Sequence, residues 1–366
     1  MRRWKFFLIT GFVIASIALA QPASPPNFPT QEGDYTIRDF HFRSREQMAE
    51  LRVHYTTLGT PAKDASGRTT NAVLILHGTT GSGHQFLSPS FAGVLFGPGQ
   101  LLDIHRYYII LPDDIGHGKS TKPSDGMHAH FPNYDYADMV KAEHELVMDG
   151  LHVNHLRLVM GTSMGCMHSW MWGEMYPDDM DALMPLACLP VQIAGRNRMW
   201  RKMIMDSIRN DPAWKGGDYT SEPLQGLRTA ADLMLIAGSA PIAMQKAYPA
   251  RNAADEFLDH YMDREMQAIQ SGALDANNYW YAFNASRDYD PSPELEKIEA
   301  PVMFVNSADD FINPPELGIA EREIKRVKRG KFVLIPASEK THGHGTHTWP
   351  VFWQQYLKEL LDQSQP

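Results

Sequence analysis

Short apolar runs recur along the chain at intervals that suit strands separated by helices. Residues 72–76 (Ala-Val-Leu-Ile-Leu), 107–111 and 156–160 are almost continuously apolar, and so are 182–189, 301–305 and 332–335. Unbroken runs of this length suit strands covered on both faces, as in a parallel sheet, better than strands with one wet face. Ahead of them, residues 35–42 and 51–58 read as two paired strands. Between the runs the period changes. Met139, Ala142, Leu146 and Val147 fall on one side of a helix over 136–151, a second helix-compatible segment starts at Met164, and a third over 349–361 closes the chain. Residues 191–290 break this rhythm. They are helix-rich by pattern and carry Met199, Trp200, Met203, Met205, Trp214, Met234, Met244, Tyr261, Met262, Trp280 and Tyr281. The pattern predicts an α/β domain with a mostly parallel sheet flanked by helices, built from residues 21–190 and 291–366. The helical insertion over 191–290 is read as a lid, whose Met and aromatic side chains form its own packing core, line an acyl or aromatic pocket, or do both.

The remaining composition adds a compartment. The chain has 366 residues, 43% hydrophobic and 21% charged, enough for one large core with a lid. A formal charge of −9 gives no nucleic-acid footprint. At the N-terminus, Arg2, Arg3 and Lys5 precede an apolar run from residue 6 to 17, followed by Ala18-Leu19-Ala20. This is the pattern of a signal peptide over residues 1–20, and the run is short for a membrane span. Its removal takes away three positive and no negative charges, moving the balance from −9 to −12. A periplasmic or secreted protein with no stable membrane anchor is expected, with a mobile leader over 21–33. Cys166 and Cys188 are the two cysteines, and buried free thiols are expected of them, with a disulfide as the alternative open to an exported protein.

Candidate chemistry centres on Gly161-Thr162-Ser163-Met164-Gly165, which stands between an apolar run and a helical segment. In an α/β-hydrolase this pattern is a strand, a strained turn and a helix, with the serine exposed on the turn as nucleophile. The two glycines allow close backbone packing, and the helix N-terminus points N–H groups at the site. After the run at 72–76 comes His77-Gly78-Thr79-Thr80-Gly81-Ser82-Gly83. It lacks the Lys-Ser/Thr ending of a phosphate-binding loop, and the backbone of Thr79, with that of Met164, is expected to form an oxyanion hole. The loop Asp113-Asp114-Ile115-Gly116-His117-Gly118-Lys119-Ser120 is read as structural. Asp309 and Asp310 follow the run at 301–305, where a triad acid belongs, and either could instead cap a helix near Pro315. His342, His344 and His347 follow the last strand. No Cys/His set of matching spacing accompanies them and no local carboxylate completes a site, so no metal is expected. His344, between two glycines, is chosen as general base, Ser163 as nucleophile and Asp310 as the acid that holds the imidazole tautomer.

Taken together, these residues resemble the homoserine O-acetyltransferase family of the α/β-hydrolase superfamily over most of the mature chain. The likeness includes residues 51–60 (Leu-Arg-Val-His-Tyr-Thr-Thr-Leu-Gly-Thr), Gly97-Pro98-Gly99, Phe131-Pro132, the Ser163 motif and, in the lid, Asp211-Pro212-Ala213-Trp214-Lys215-Gly216-Gly217-Asp218-Tyr219. The family's Asp-x-x-x-Pro segment matches Asp310 to Pro314, and its Gly-His-Asp segment matches Gly343-His344-Gly345, which implies Asp310 and His344 as the acid and base. The lid arginine that members use for their amino-acid substrate aligns with Met205, with Arg201 and Arg209 nearby. With an apolar residue there and an exported chain, the expected activity is that of a serine hydrolase acting on an ester or other acyl compound. The alternative is an acyltransferase of the homoserine O-acetyltransferase type, and a non-catalytic binding protein is the reading from another class. A small-molecule acyl substrate is the expected partner and no cofactor is expected. A homodimer is left open.

Overall fold

The computed structural model describes residues 28–365. The expected signal peptide and residues 21–27 of the expected mobile leader lie outside them, and the end of that leader is corrected, since residues 31–33 pair in the first strand. Eight strands form one sheet: β1 (Gln31–His41), β2 (Gln47–Leu58), β3 (Ala72–Leu76), β4 (Tyr108–Pro112), β5 (Leu158–Thr162), β6 (Leu183–Leu186), β7 (Val302–Ser307) and β8 (Gly330–Ile335), in spatial order β1-β2-β4-β3-β5-β6-β7-β8. β1 and β2 pair antiparallel, β2 pairs antiparallel with β4, and every later neighbour is parallel. The continuous apolar runs are the central strands, and each residue of β3 to β7 is buried. One face of the sheet packs on α2 (Tyr136–Glu145) and α3 (Met164–Met175), and the other on α1 (Ala92–Leu95) and α10 (Gln354–Gln363).

The lid runs between β6 and β7 as α4 (Gly195–Arg209), α5 (Leu224–Gly238), α6 (Pro241–Ala247), α7 (Arg251–Gln270) and α8 (Ala276–Asn284), ahead of the short α9 (Ile319–Glu323) in the core. It has a core of its own, in which Trp200, Ile204, Met205 and Ile208 of α4 meet Leu227, Ala230 and Phe283. The segment at 211–219 is fastened to the helices of that core. Asp211 accepts hydrogen bonds from Ala213 N (2.9 Å) and Gly226 N (2.9 Å), and Trp214 Nε1 donates to Asn277 (3.0 Å). The lid is tied to the core by Tyr281, whose hydroxyl donates to the carbonyl of Phe131 (2.8 Å), and by Arg287, which donates to the carbonyls of Asn133 and Tyr134 (2.8 Å each).

Three local readings change. The helix over 136–151 ends at Glu145 and continues as a wider turn through Gly150, closed by Leu151 N donating to Leu146 O at 2.8 Å. The closing helix begins at Gln354 rather than 349, because Pro350 starts a separate short turn. The strand over 182–189 stops at Leu186, since Ala187 takes a left-handed conformation (φ 66°). That turn carries Cys188 over the first turn of α3. Cys166 and Cys188 are joined in a disulfide, with Cα atoms 5.8 Å apart, which corrects the expectation of free thiols. The sequence concealed the pairing because it depends on where a strand ends and a helix begins, not on the 22-residue separation.

Closing a loop of 22 residues removes denatured-state entropy worth about 3 kcal/mol on a chain-entropy basis. The double variant Cys166→Ser/Cys188→Ser should therefore unfold at a lower urea midpoint by a deficit of that order. Peptide mapping without reductant should recover the two cysteines in one linked fragment, and finding them as free thiols would remove the disulfide.

Candidate active site

The nucleophile motif is explained by steric contacts. A Cβ at Gly161 would collide with the carbonyl oxygen of Gly165, and a Cβ at Gly165 with that of Leu76, so neither position admits a side chain. The crossing of β5 into α3 that they permit holds Ser163 at φ 56°, ψ −107°, a region costly for a residue with a Cβ. Two hydrogen bonds fix the turn: Ser163 N to Leu186 O and Gly165 N to His77 O, both 2.9 Å. The loop after β3 closes on the same point, and a Cβ built on Gly78 would lie 3.5 Å from the Ser163 Cβ. The amides of Thr79 and Met164 have no acceptor among the described residues, and the Thr79 hydroxyl is buried and unpartnered.

Three chain ends carry the three expected side chains to one line. His344 stands in a short turn (Gly343–Thr348) after β8, and Asp310 in the loop after β7. Ser163 Oγ is 2.8 Å from His344 Nε2, and His344 Nδ1 is 2.9 Å from Asp310 Oδ2. Asp310 is 2% exposed, and each of its oxygens is satisfied. Oδ1 accepts from Ile312 N (2.8 Å) and Asn313 N (3.1 Å), and Oδ2 accepts also from Asn313 Nδ2 (3.0 Å). Burial pushes its carboxyl up, but the imidazole of His344 and the donors on Asn313 outweigh burial and leave it below the usual carboxylate range. The Asp310 hydrogen bonds are those of a loop, so it does not cap the helical turn at Pro315–Leu317.

Asp309 has a separate task that the sequence did not reveal. Its Oδ2 accepts from Thr341 Oγ1 (2.7 Å) and Gly343 N (3.3 Å), and Ser307 Oγ donates to its Oδ1. It binds the acid loop to the histidine loop. Asn313 was also missed. Besides Asp310, it reaches Ala187 O at 3.1 Å and so ties the acid loop to the end of β6. The other histidines pack. His342 stacks on Trp349 (centroids 4.5 Å apart), and burial pushes the His347 imidazole down to about 3. His117 is buried with Nδ1 on Ile115 O (2.9 Å) and is likewise pushed down to about 3.

A second buried polar group lies beneath the elbow. Glu143 of α2 accepts from His168 Nδ1 (2.7 Å) and Trp172 Nε1 (2.6 Å), both on α3, and Asp114 faces it with neither carboxylate oxygen given a donor. Asp114, Glu143 and His168 bring ligand-type atoms within 4.8 Å of one another. The direct bond from His168 to Glu143 already engages two of the three, and a proton shared between the carboxyls suits Asp114 better than an ion would. Burial raises Asp114 well above its ordinary value and pushes Glu143 up to about 7.

The side chains at and near the aligned arginine position are engaged within the lid. Met205 is 7% exposed in the lid core. Arg201 is buried, its Nε donating to Asn197 (2.9 Å) and its Nη1 to Ser286 (3.2 Å), while Arg209 lies over Trp280.

A strand–elbow–helix serine, a histidine after the last strand and an acid after the preceding one, all on a mostly parallel sheet, define the α/β-hydrolase class. A family model described as the alpha/beta hydrolase fold matches residues 71–340, and the chain belongs to that superfamily. Within it, the chain is 30% identical to a homoserine O-acetyltransferase of Pelobacter propionicus over 347 residues, 86% of this chain and 91% of that protein. It thus belongs to the homoserine O-acetyltransferase-like family, and to its acyl-transferring and hydrolytic enzymes. Similar solved structures include a homoserine O-acetyltransferase from Bacillus anthracis (TM-score 0.78, 20% identity, 92% of this chain and 98% of that one). An acetylester hydrolase from Corynebacterium glutamicum is as near in fold (TM-score 0.77, 20% identity, 91% and 96%).

Two outcomes are expected. Asp310→Asn should lower kcat by orders of magnitude, because the wrong tautomer of His344 would face Ser163, whereas Asp309→Asn should cost far less. Steady-state kinetics on an ester decide this, and equal losses would mean that the acid is misassigned. Glu143, held protonated to about pH 7 in the fold against 4.5 as its ordinary value, binds more proton folded than unfolded between these values. Stability should fall across that window as pH rises, by up to about 3 kcal/mol, and Glu143→Gln should flatten the fall in urea melts.

Proposed function

We propose that the chain is an acyltransferase of the homoserine O-acetyltransferase type, working through an acyl-enzyme on Ser163. The observation that carries this reading is the similarity to enzymes of that name over nine-tenths of their length, together with the hydrogen-bonded line Ser163–His344–Asp310. Ser163 Oγ attacks the acyl carbonyl as His344 Nε2 takes its proton. The negative charge on the former carbonyl oxygen is met by the amides of Thr79 and Met164, which have no other acceptor among the described residues. Asp310 holds Nδ1–H and stabilises the imidazolium. Collapse expels the donor's leaving group with the proton from His344. An acceptor hydroxyl then repeats the sequence in reverse, giving its proton to His344 and its oxygen to the acyl carbon, and Ser163 is restored.

A second reading keeps the acyl-enzyme and makes water the acceptor. One observation favours it. An amino-acid acceptor is best gripped by a cation on its carboxylate, and the aligned lid position is Met205, buried in the lid core, while Arg201 is held by Asn197 and Ser286. A periplasmic or secreted location is part of our reading. The N-terminal pattern and the disulfide, a bond typical of oxidising compartments, support it.

The test supplies purified protein with acetyl-CoA and homoserine, and separately with p-nitrophenyl acetate with and without homoserine. Formation of O-acetylhomoserine, lost in Ser163→Ala, is expected. Ester hydrolysis at a rate that homoserine leaves unchanged, with no O-acetylhomoserine, would replace transfer by hydrolysis. Full activity in Ser163→Ala would remove the acyl-enzyme.

A further inference from the structure

A cavity of about 890 Å³ opens between the core and the lid on the acid side of the Ser163–His344–Asp310 line. Its walls come from the loop after β6, the loop after β7, the start of α4 and the junction of α5 with α6. Two of its lining residues border the candidate catalytic line: Asp310 itself, and Met167, one turn along α3 from Ser163. Leu189, Ile193, Phe311 and Ile312 make up much of the rest.

The chemistry of these walls narrows the occupant. Three of the polar groups at hand are engaged elsewhere: Asp310 by four donors, Asn313 by Asp310 and Ala187, and Asn197 by Arg201, while Gln192 and Glu316 stand exposed at the cavity without a side-chain partner among the described residues. Arg196 lies across the Phe311 ring, 3.9 Å from its centroid, and donates to the Phe311 carbonyl. The polar groups left, Gln192, Arg196 and Glu316, are all on exposed residues, whereas aliphatic and aromatic surface is plentiful along the walls. The volume is at the upper end of small-molecule sites and far exceeds what an acetyl group fills. Ser163 does not line the cavity, whereas Met167, one turn on from it along α3, does. Methionine is unbranched and deformable, so it can yield to a chain entering from the serine side.

We propose that this cavity is the acyl-chain site of the enzyme, and that the acyl group carried on Ser163 is a straight aliphatic chain longer than acetyl, passing Met167 into the space between Ile193 and Ile312. This rests on the acyl-enzyme at Ser163, with acetyl the shorter and poorer of the acyl groups it accepts, and is the same whether water or a hydroxyl compound receives the acyl group. The bond formed is the ester between Ser163 Oγ and the acyl carbon, and the bond broken is that to the donor's leaving group, which departs with the serine proton.

The test is a chain-length series of p-nitrophenyl acetate, butyrate, octanoate and dodecanoate. Each buried methylene favours binding by about fourfold, so kcat/KM should rise at least about tenfold from acetate to octanoate, chiefly through KM. Ile193→Trp and Ile312→Trp fill the cavity from two different loops, and either should lower the octanoate-to-acetate ratio of kcat/KM by about tenfold or more. The ratio is read within each variant, and a loss of fold in one leaves the other and the wild-type series to decide. Acetate turned over as well as or better than octanoate by the wild type, or a ratio unmoved by both variants, would overturn the acyl-chain site alone. Failure of every ester to acylate Ser163 would overturn the acyl-enzyme and the chain site with it.

Discussion

The structure depends on one strained residue. Ser163 is held at positive φ because β5 passes into α3 without room for any side chain at Gly161 or Gly165. Strain of this kind, on the order of 1–3 kcal/mol, persists where the surroundings over-determine it. Here they do so through backbone contacts. β6 takes the Ser163 amide through Leu186 O, and β3 takes the Gly165 amide through His77 O. The strands on either side of β5 thus both hold the elbow, and the burial of β3, β5 and β6 serves the placement of one hydroxyl.

The rest of the site is built from loops held to each other rather than to the elbow. Asp310 could not keep its carboxylate ionised at 2% exposure without donors, and Asn313 supplies two of the four. Asp309 then joins the acid loop to the histidine loop through Thr341 and Gly343. Gly343 is left-handed (φ 59°), and a Cβ there would approach the lid's Ser239 carbonyl to 2.8 Å. The lid therefore rests on the turn that carries His344, and lid position and imidazole position are mechanically connected.

Beneath the elbow, α2 and α3 are joined by Glu143, His168 and Trp172 rather than by apolar contact alone. Burying carboxyl groups is costly unless they are neutral or well supplied with donors. Glu143 has two donors, and Asp114 has none on its carboxylate, which is why burial drives the latter strongly towards its protonated form. The group gives α3 a fixed orientation at a cost that varies with pH.

The order of strands and helices, the parallel sheet, the helical insertion and the residues of the Ser163 motif were legible in the sequence, because periodicity and steric need leave marks on neighbouring residues. The segments around Asp310 and His344 were legible too, through chain order and resemblance, although two carboxylates and three histidines competed within a few positions. Four things were decided only by the tertiary structure: the pairing of Cys166 with Cys188, the bridging by Asp309 and Asn313, the convergence of Asp114, Glu143 and His168, and the engagement of Arg201 and packing of Met205 within the lid. Each depends on contacts between segments remote in the chain. A local pattern records what a residue's own strand or helix requires of it, but not which side chain from elsewhere will face it once the sheet has closed.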